Sequence, residues 1–353
     1  MRTQSHDGVV PPTALGLSSP LPAMAAMKPP PLVLIVGPTA VGKTEISVQL
    51  ALRLHAEIVS ADSRLFYRGM DIGTAKPSLT QRRVVRHHLV DIADPDETVT
   101  MAQFQELAHA AIADIQRRGH VAILVGGTGQ YLRAVTSGWA PPRVPPDDRL
   151  RRVLQISADL RGSAWLHSRL GAMDPEAAQA IDHRNVRRTV RALEVILRTG
   201  QKFSAQRARG APPYHPVVLG LSLPRSVLYA RIDERINRMF EAGLVQETRR
   251  LLKAGYSPDL PALSAIGYPE CTRLIRGELQ LDQAKREIMK STRAFVRRQA
   301  NWFKPSDPQI AWFPADETNT VDAMETLIRE KLGEWHVPPV PRVPSHTTQK
   351  GPG

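Results

Sequence analysis

Gly37-Pro38-Thr39-Ala40-Val41-Gly42-Lys43-Thr44 has the spacing G-x-x-x-x-G-K-[ST]. Just upstream, Leu32-Val33-Leu34-Ile35-Val36 is a short, β-branched apolar run and predicts a buried strand. Downstream, Ile46, Leu50 and Leu54 recur at helical spacing with Ala51 on the same face, which predicts a helix. Strand, glycine loop and helix start therefore follow in the order that makes an anion site. The loop's backbone N–H groups and the helix N-terminus both point at the anion. Lys43 adds a point charge, and the Thr44 hydroxyl can ligate Mg²⁺. Residues 37–44 are thus read as a phosphate or diphosphate site, with the owner of the phosphate still open.

Working outward, 56–60 predicts a second strand that ends in Ala61-Asp62-Ser63. Ligands of open parallel α/β sheets sit beyond the carboxyl ends of the strands, so Asp62 is expected to face the loop. Residues 64–78 read as loop, broken by Gly69, Gly73 and Pro77. A short strand is predicted at 89–92 and a helix at 101–118, with Phe104, Leu107, Ala111 and Ile115 on one face. The apolar run 121–125 predicts another strand, and it ends in Gly126-Gly127-Thr128-Gly129. Many nucleotide hydrolases carry a Mg²⁺-associated Asp there. Its absence weakens an ATPase reading.

Prolines at 141, 142, 145 and 146 mark a boundary, and the stretch up to 213 reads as helical without a strand. The sheet resumes at 217–221. Helices are predicted at 226–241, 243–254 and 280–303, then a strand at 310–313 and a helix at 321–333. The expected fold is α/β: a P-loop NTPase-like parallel sheet core from 30–140 and 214–335, with an inserted all-helical domain at 141–213. Residues 1–29 and 336–353 are expected to be disordered tails, from their Pro-rich composition.

The chain has 353 residues, 42% of them hydrophobic and 23% charged, a globular composition. No run of 18 apolar residues occurs, so no transmembrane helix is expected. The single cysteine, Cys271, excludes an internal disulfide and a cysteine-based zinc site and fits a reducing compartment. The formal net charge of +13 favours a polyanionic partner, nucleic acid first. Two helical faces concentrate it. Arg184, Arg187, Arg188, Arg191 and Arg198 fall within an arc of about 100°. Arg286, Lys290, Arg293 and Arg297 fall within about 60°, with Ala284, Ile288, Phe295 and Trp302 opposite. Unmixed positive stripes of this kind suit phosphate contacts, unless acidic groups from elsewhere in the fold neutralise them.

These residues resemble the bacterial tRNA dimethylallyltransferases, also called tRNA isopentenyltransferases, from about 32 to 313. The motifs are GPTAVGKT at 37–44, DSRLFYRGMDIGTAKP at 62–77, HHLVDIADPDE at 87–97, GGTGQY at 126–131, VRRTVRALEV at 186–195, IGY at 266–268 and TRAFVRRQANWF at 292–303. Ser264, Pro269 and Asn301 depart from residues common in that family. The resemblance implies transfer of a dimethylallyl group from dimethylallyl diphosphate to N6 of the adenosine 3′ to the anticodon, by a cytoplasmic monomer that uses Mg²⁺. The loop would then hold the donor's diphosphate. The same implication makes Asp62 the general base, Lys43, Thr39 and Arg235 further catalytic residues, and Thr44 the metal ligand. The residues themselves do not separate Arg235 from Arg231 or Arg238. Asp62, Ser63, Arg64, Leu65, Thr128, Arg151, Arg187, Arg188, Thr189, Val190 and Arg191 would contact the tRNA anticodon stem-loop.

Two other functions share parts of this pattern. One is transfer of the same group to a free adenine nucleotide, which needs neither the arginine faces nor the helical insertion. The other is a nucleotide-binding, ATP-binding switch or ATPase, against which the missing strand-end Asp argues.

Overall fold

In this computed structural model, the described residues are 29–333 apart from 140, 143 and 207–209. The tails expected at 1–29 and 336–353 lie outside them, residue 29 excepted.

Strand β1 (Pro31–Val36) runs into the glycine loop and helix α1 (Lys43–Leu54). Strand β2 (Ala56–Ser60) follows, then a 3₁₀ turn at Ser63–Phe66, helix α2 (Leu79–Val84) and a short strand β3 (His87–His88). β3 stands two residues before the stretch 89–92 expected to be a strand. Leu89 and Asp91 have φ of 61° and 57°, the left-handed region that a ladder cannot use, so pairing stops at His88. Helix α3 (Met101–Arg117), strand β4 (Val121–Gly126) and helix α4 (Gly129–Thr136) complete the first half.

The next stretch holds four helices and no strand among the described residues: α5 (Asp148–Arg161), α6 (Ser163–Met173), α7 (Pro175–Ala180) and α8 (Val186–Thr199). They enclose an apolar cluster of their own, including Leu166, Leu170, Leu193 and Ile196. The sheet resumes with β5 (His215–Ser222), followed by α9 (Arg225–Glu241), α10 (Leu244–Lys253), α11 (Tyr268–Ile275) and α12 (Leu281–Gln299). β6 (Ile310–Pro314) and α13 (Thr320–Gly333) close the described chain. α12 stops at Gln299, so Trp302 sits beyond the helix and is exposed rather than on its buried face.

The six strands form one parallel sheet in the order β3-β2-β4-β1-β5-β6. Both faces are covered, which is why β1 and β4 read as continuous apolar runs. One face packs against Ile46, Leu50 and Leu54 of α1, Ile232 of α9, Ile288 of α12 and Met324 of α13. The other packs against Phe104, Ile112 and Ile115 of α3 and Leu132 of α4. Each such fully buried side chain contributes about 1.5–3 kcal/mol.

The register sets up the site. Val36 pairs with Gly126, and Ser60 pairs with Val125. The carboxyl ends of β1, β2 and β4 therefore finish side by side. That edge collects the start of the glycine loop, Asp62 and Gly127.

Candidate active site

The loop's shape comes from its backbone. Gly42 precedes α1 with φ of 110°, a conformation that a side chain would strain. Lys43 folds back over the loop, and its Nζ donates to Gly37 O at 2.9 Å and Pro38 O at 2.8 Å. The lysine keeps some surface, but its ammonium is enclosed. Burial lowers its pKa to about 8; the charge of Asp62 opposes this and that of Arg235 adds to it. Thr39, Ala40, Gly42, Lys43 and Thr44 line a cavity of about 870 Å³ together with Asp62, Leu65, Arg231 and Arg235. Gly37, Pro38 and Val41 lie behind that lining, Val41 fully buried.

Asp62 caps the 3₁₀ turn, its Oδ1 accepting from Arg64 N at 3.0 Å. Its other oxygen has no hydrogen-bond partner among the described residues and is left to the cavity. Arg235 projects from α9 into the same space. Its guanidinium makes no hydrogen bond among the described residues, and burial lowers its pKa against the pull of Asp62. Arg231 instead donates to Val41 O at 3.3 Å, and Arg238 is 67% exposed beside Glu234. The structure thus separates three arginines that the sequence left equivalent. Arg235 is the enclosed cation without a hydrogen-bonded partner.

The side-chain hydroxyl of Thr44 has no partner among the described residues and faces the cavity. It shares the cavity with the Asp62 carboxylate, and these hard oxygen donors would suit a cation such as Mg²⁺, which keeps waters and substrate oxygens as its other ligands.

One wall of the cavity is the loop from Asp71 to Ser78. Glu247 of α10 holds it. Its carboxylate accepts from Asp71 N, Ile72 N and Gly73 N at 2.9–3.1 Å, and from Tyr268 Oη at 2.8 Å. Burial and the neighbouring Glu247 push the Tyr268 hydroxyl far up. Lys76 closes the loop from the other side, donating to Tyr67 O at 2.8 Å and to Asp71 and Asp91 at 2.6 Å. Burial raises the Asp91 pKa, but hydrogen bonds from Lys76 and Arg82 outweigh it and hold the carboxyl below its usual range. Glu247 escaped the sequence reading. A signal existed: it lies on the buried stripe of α10 with Leu244, Thr248 and Leu251, where a charge needs a partner.

The β4 end explains the missing aspartate. A Cβ on Gly126 would lie 2.9 Å from the Ala61 Cβ, and one on Gly127 would lie 2.4 Å from Gln299 Nε2. Neighbouring chain fills the place an Asp would occupy.

Comparison with known proteins agrees with this geometry. The family profile described as IPP transferase matches residues 65–306. The chain belongs to the IPP transferase family. It is 50% identical over 300 residues to a tRNA dimethylallyltransferase of Roseiflexus sp. (strain RS-1), covering 85% of this chain and 98% of the relative. It is 52% identical over 283 residues to one from Chloroflexus aggregans, covering 80% and 96%. Among solved structures, the full-length tRNA isopentenylpyrophosphate transferase of Bacillus halodurans is 39% identical with a TM-score of 0.65, over 87% of this chain and 98% of that one. A eukaryotic dimethylallyltransferase acting on tRNA is 25% identical with a TM-score of 0.73, over 86% and 79%.

In this IPP transferase the residues expected to touch RNA fall into distinct settings. Asp62 and Leu65 line the cavity. Ser63 opens the 3₁₀ turn beside it. Thr128 follows Gly127 at the start of α4. Arg64 donates to Pro261 O at 2.8 Å and to Ser264 Oγ at 3.3 Å, so it clasps a neighbouring turn. Thr189 and Val190 are buried in the insertion, so the surface of that stretch is made by its arginines. Arg151 and Arg191 both pair with Glu194, a carboxylate with no exposed surface. Arg184 pairs with Asp182, and Arg198 with Asp147. The stripe expected to be unmixed on α8 is therefore largely neutralised. Arg187 and Arg188 remain exposed without an acidic partner among the described residues. On α12 only Arg293 is paired, with Asp233; Arg286, Lys290 and Arg297 stay unpaired among the described residues around a groove of about 380 Å³.

Proposed function

We propose that this IPP transferase moves a dimethylallyl group from dimethylallyl diphosphate to N6 of the adenosine 3′ to the anticodon of tRNA, releasing diphosphate. The observation that carries this reading is the Asp62 carboxylate, one of its oxygens without a hydrogen-bond partner among the described residues, sharing a cavity with two enclosed cations, Lys43 and Arg235. In the reaction the C1–O bond of the donor breaks and its electron pair leaves with the diphosphate. N6 bonds to C1 and loses a proton to Asp62. The exocyclic amine is a weak nucleophile, so a base at that nitrogen is needed. Charge grows on the leaving group, where Lys43, Arg235 and the loop N–H groups are aimed. Thr44 and the donor's own oxygens would hold Mg²⁺, which when bound disperses that charge. Thr39 lines the cavity from the glycine loop and would lie near the reacting carbon.

The adenosine must leave the anticodon stack to enter the cavity, an opening that costs a few kcal/mol. Arg187 and Arg188 on the insertion and Arg286, Lys290 and Arg297 on α12 would grip the stem-loop meanwhile. The reading includes a monomer acting in the cytoplasm. No helix of the described residues is long and apolar enough to cross a membrane.

The test is incubation with undermodified tRNA, AMP and radiolabelled dimethylallyl diphosphate, and separately with ATP. Label is expected in tRNA. Label in AMP but not tRNA, or ATP turnover without transfer, would refute the reading.

A further inference from the structure

Gln299 ends α12, lies 260 positions from the glycine loop in sequence, and is 5% exposed. Its Oε1 accepts from Thr39 N at 2.8 Å, and its Nε2 donates to Gly127 O at 3.0 Å. One amide therefore spans the glycine loop and the end of β4. The fit has no slack. Gly127 has no Cβ where one would fall 2.4 Å from Gln299 Nε2, and that same position lies 3.2 Å from Gly37 O. Thr39 N is then committed to the brace, which fixes the direction of the loop at its mouth.

We propose that Gln299 is a positioning residue for the transfer reaction: it fixes Thr39, and with it the donor-holding loop, against Gly127. This rests on the reading of residues 37–44 as the donor's diphosphate cradle. Only a side chain with one acceptor and one donor on the same planar group spans both contacts. Glutamate has that pair in its protonated form alone. In a buried site a carboxyl is readily kept protonated, because desolvation disfavours the charge. Neutral Glu would accept from Thr39 N through its C=O and donate its O–H to Gly127 O. Ionised Glu would set an anion against the Gly127 carbonyl and the donor phosphates.

The test uses the full chain, with Gln299→Met as a near-isosteric variant lacking both bonds and Gln299→Glu as a conditional one. A displaced loop misplaces the reacting carbon, and ångström-scale misplacement reduces turnover by up to about a hundredfold. Gln299→Met is expected to lower kcat about tenfold or more while tRNA affinity, read by filter binding, stays near the wild-type value. The kcat of Gln299→Glu, divided by that of the wild-type protein, is expected to rise as pH falls from about 8 to about 6. Taking the ratio cancels the pH dependence common to both proteins.

Wild-type kcat in Gln299→Met overturns the inference, and so do parallel losses of turnover, tRNA binding and melting temperature. If Gln299→Met does not fold, Gln299→Glu decides, and a ratio flat with pH overturns the inference. An inactive wild-type protein would sink the proposed function itself, and this inference with it. An active wild-type protein with an unimpaired variant sinks the inference alone.

Discussion

Lys43 and Asp62 line the same cavity, and the carboxylate offsets part of the burial that draws the lysine's pKa down to about 8. An ammonium so poised is sensitive to what binds next. A diphosphate brings negative charge and draws a proton back onto it.

Calorimetry of diphosphate binding near pH 8, in buffers of different ionisation enthalpy, should therefore show proton uptake approaching about half a proton per site, because the free ammonium is already about half protonated there. Lys43→Met should abolish the uptake. Stability carries the same signature with a definite sign. The folded pKa lies below the usual lysine value of 10.5, so between about pH 8 and that value the unfolded chain binds more protons. Stability contributed by this group should rise with pH across that window, and Lys43→Met should flatten the rise.

Asp62 has two jobs that substitutions can separate. Asn still accepts from Arg64 N and keeps the cap, whereas Ala loses it at a cost of about 1 kcal/mol. Both should bind tRNA and lose turnover by about 10²–10⁴-fold. Unchanged turnover in Asp62→Asn would move the base elsewhere.

Glu247→Gln should loosen the cavity wall. Four donors converge on that carboxylate, and an amide turns one acceptor into a donor facing donors. We expect a loss of about 2–4 kcal/mol in denaturant unfolding, because buried donors left unpaired cost about 1–3 kcal/mol each. The KM for the prenyl donor should rise with it.

The basic residues of the two stripes should split into two classes. Arg151→Ala leaves the fully buried Glu194 with Arg191 as its remaining guanidinium partner and should destabilise the protein by about 2 kcal/mol, discounted from a buried pair because Arg151 is partly exposed. Arg187→Ala, Lys290→Ala and Arg297→Ala should leave the melting temperature unchanged. They should weaken tRNA binding and shallow its salt dependence by about one charge each.

Much of this was legible because it is local. The strand, glycine loop and helix from 32 to 54 carry their own pattern, and Asp62 follows from strand-end placement alone. What escaped was long-range. Gln299 meets Thr39 only because the sheet order brings α12 to the β1 end. Glu194 neutralises Arg151 and Arg191 from the edge of the stripe that read as positive. The β3 position turned on two left-handed residues, Leu89 and Asp91, that no hydrophobic period encodes. Gly126 shows the converse: the sequence registers a missing aspartate, and only packing against Ala61 gives the reason.

The most direct measurement is nucleoside mass analysis of undermodified tRNA after incubation with the protein and dimethylallyl diphosphate. The account predicts one dimethylallyl group on N6 of the adenosine 3′ to the anticodon, formed about 10²–10⁴-fold more slowly with Asp62→Asn. Unmodified tRNA with the wild-type protein, or the group on another nucleoside, would contradict it.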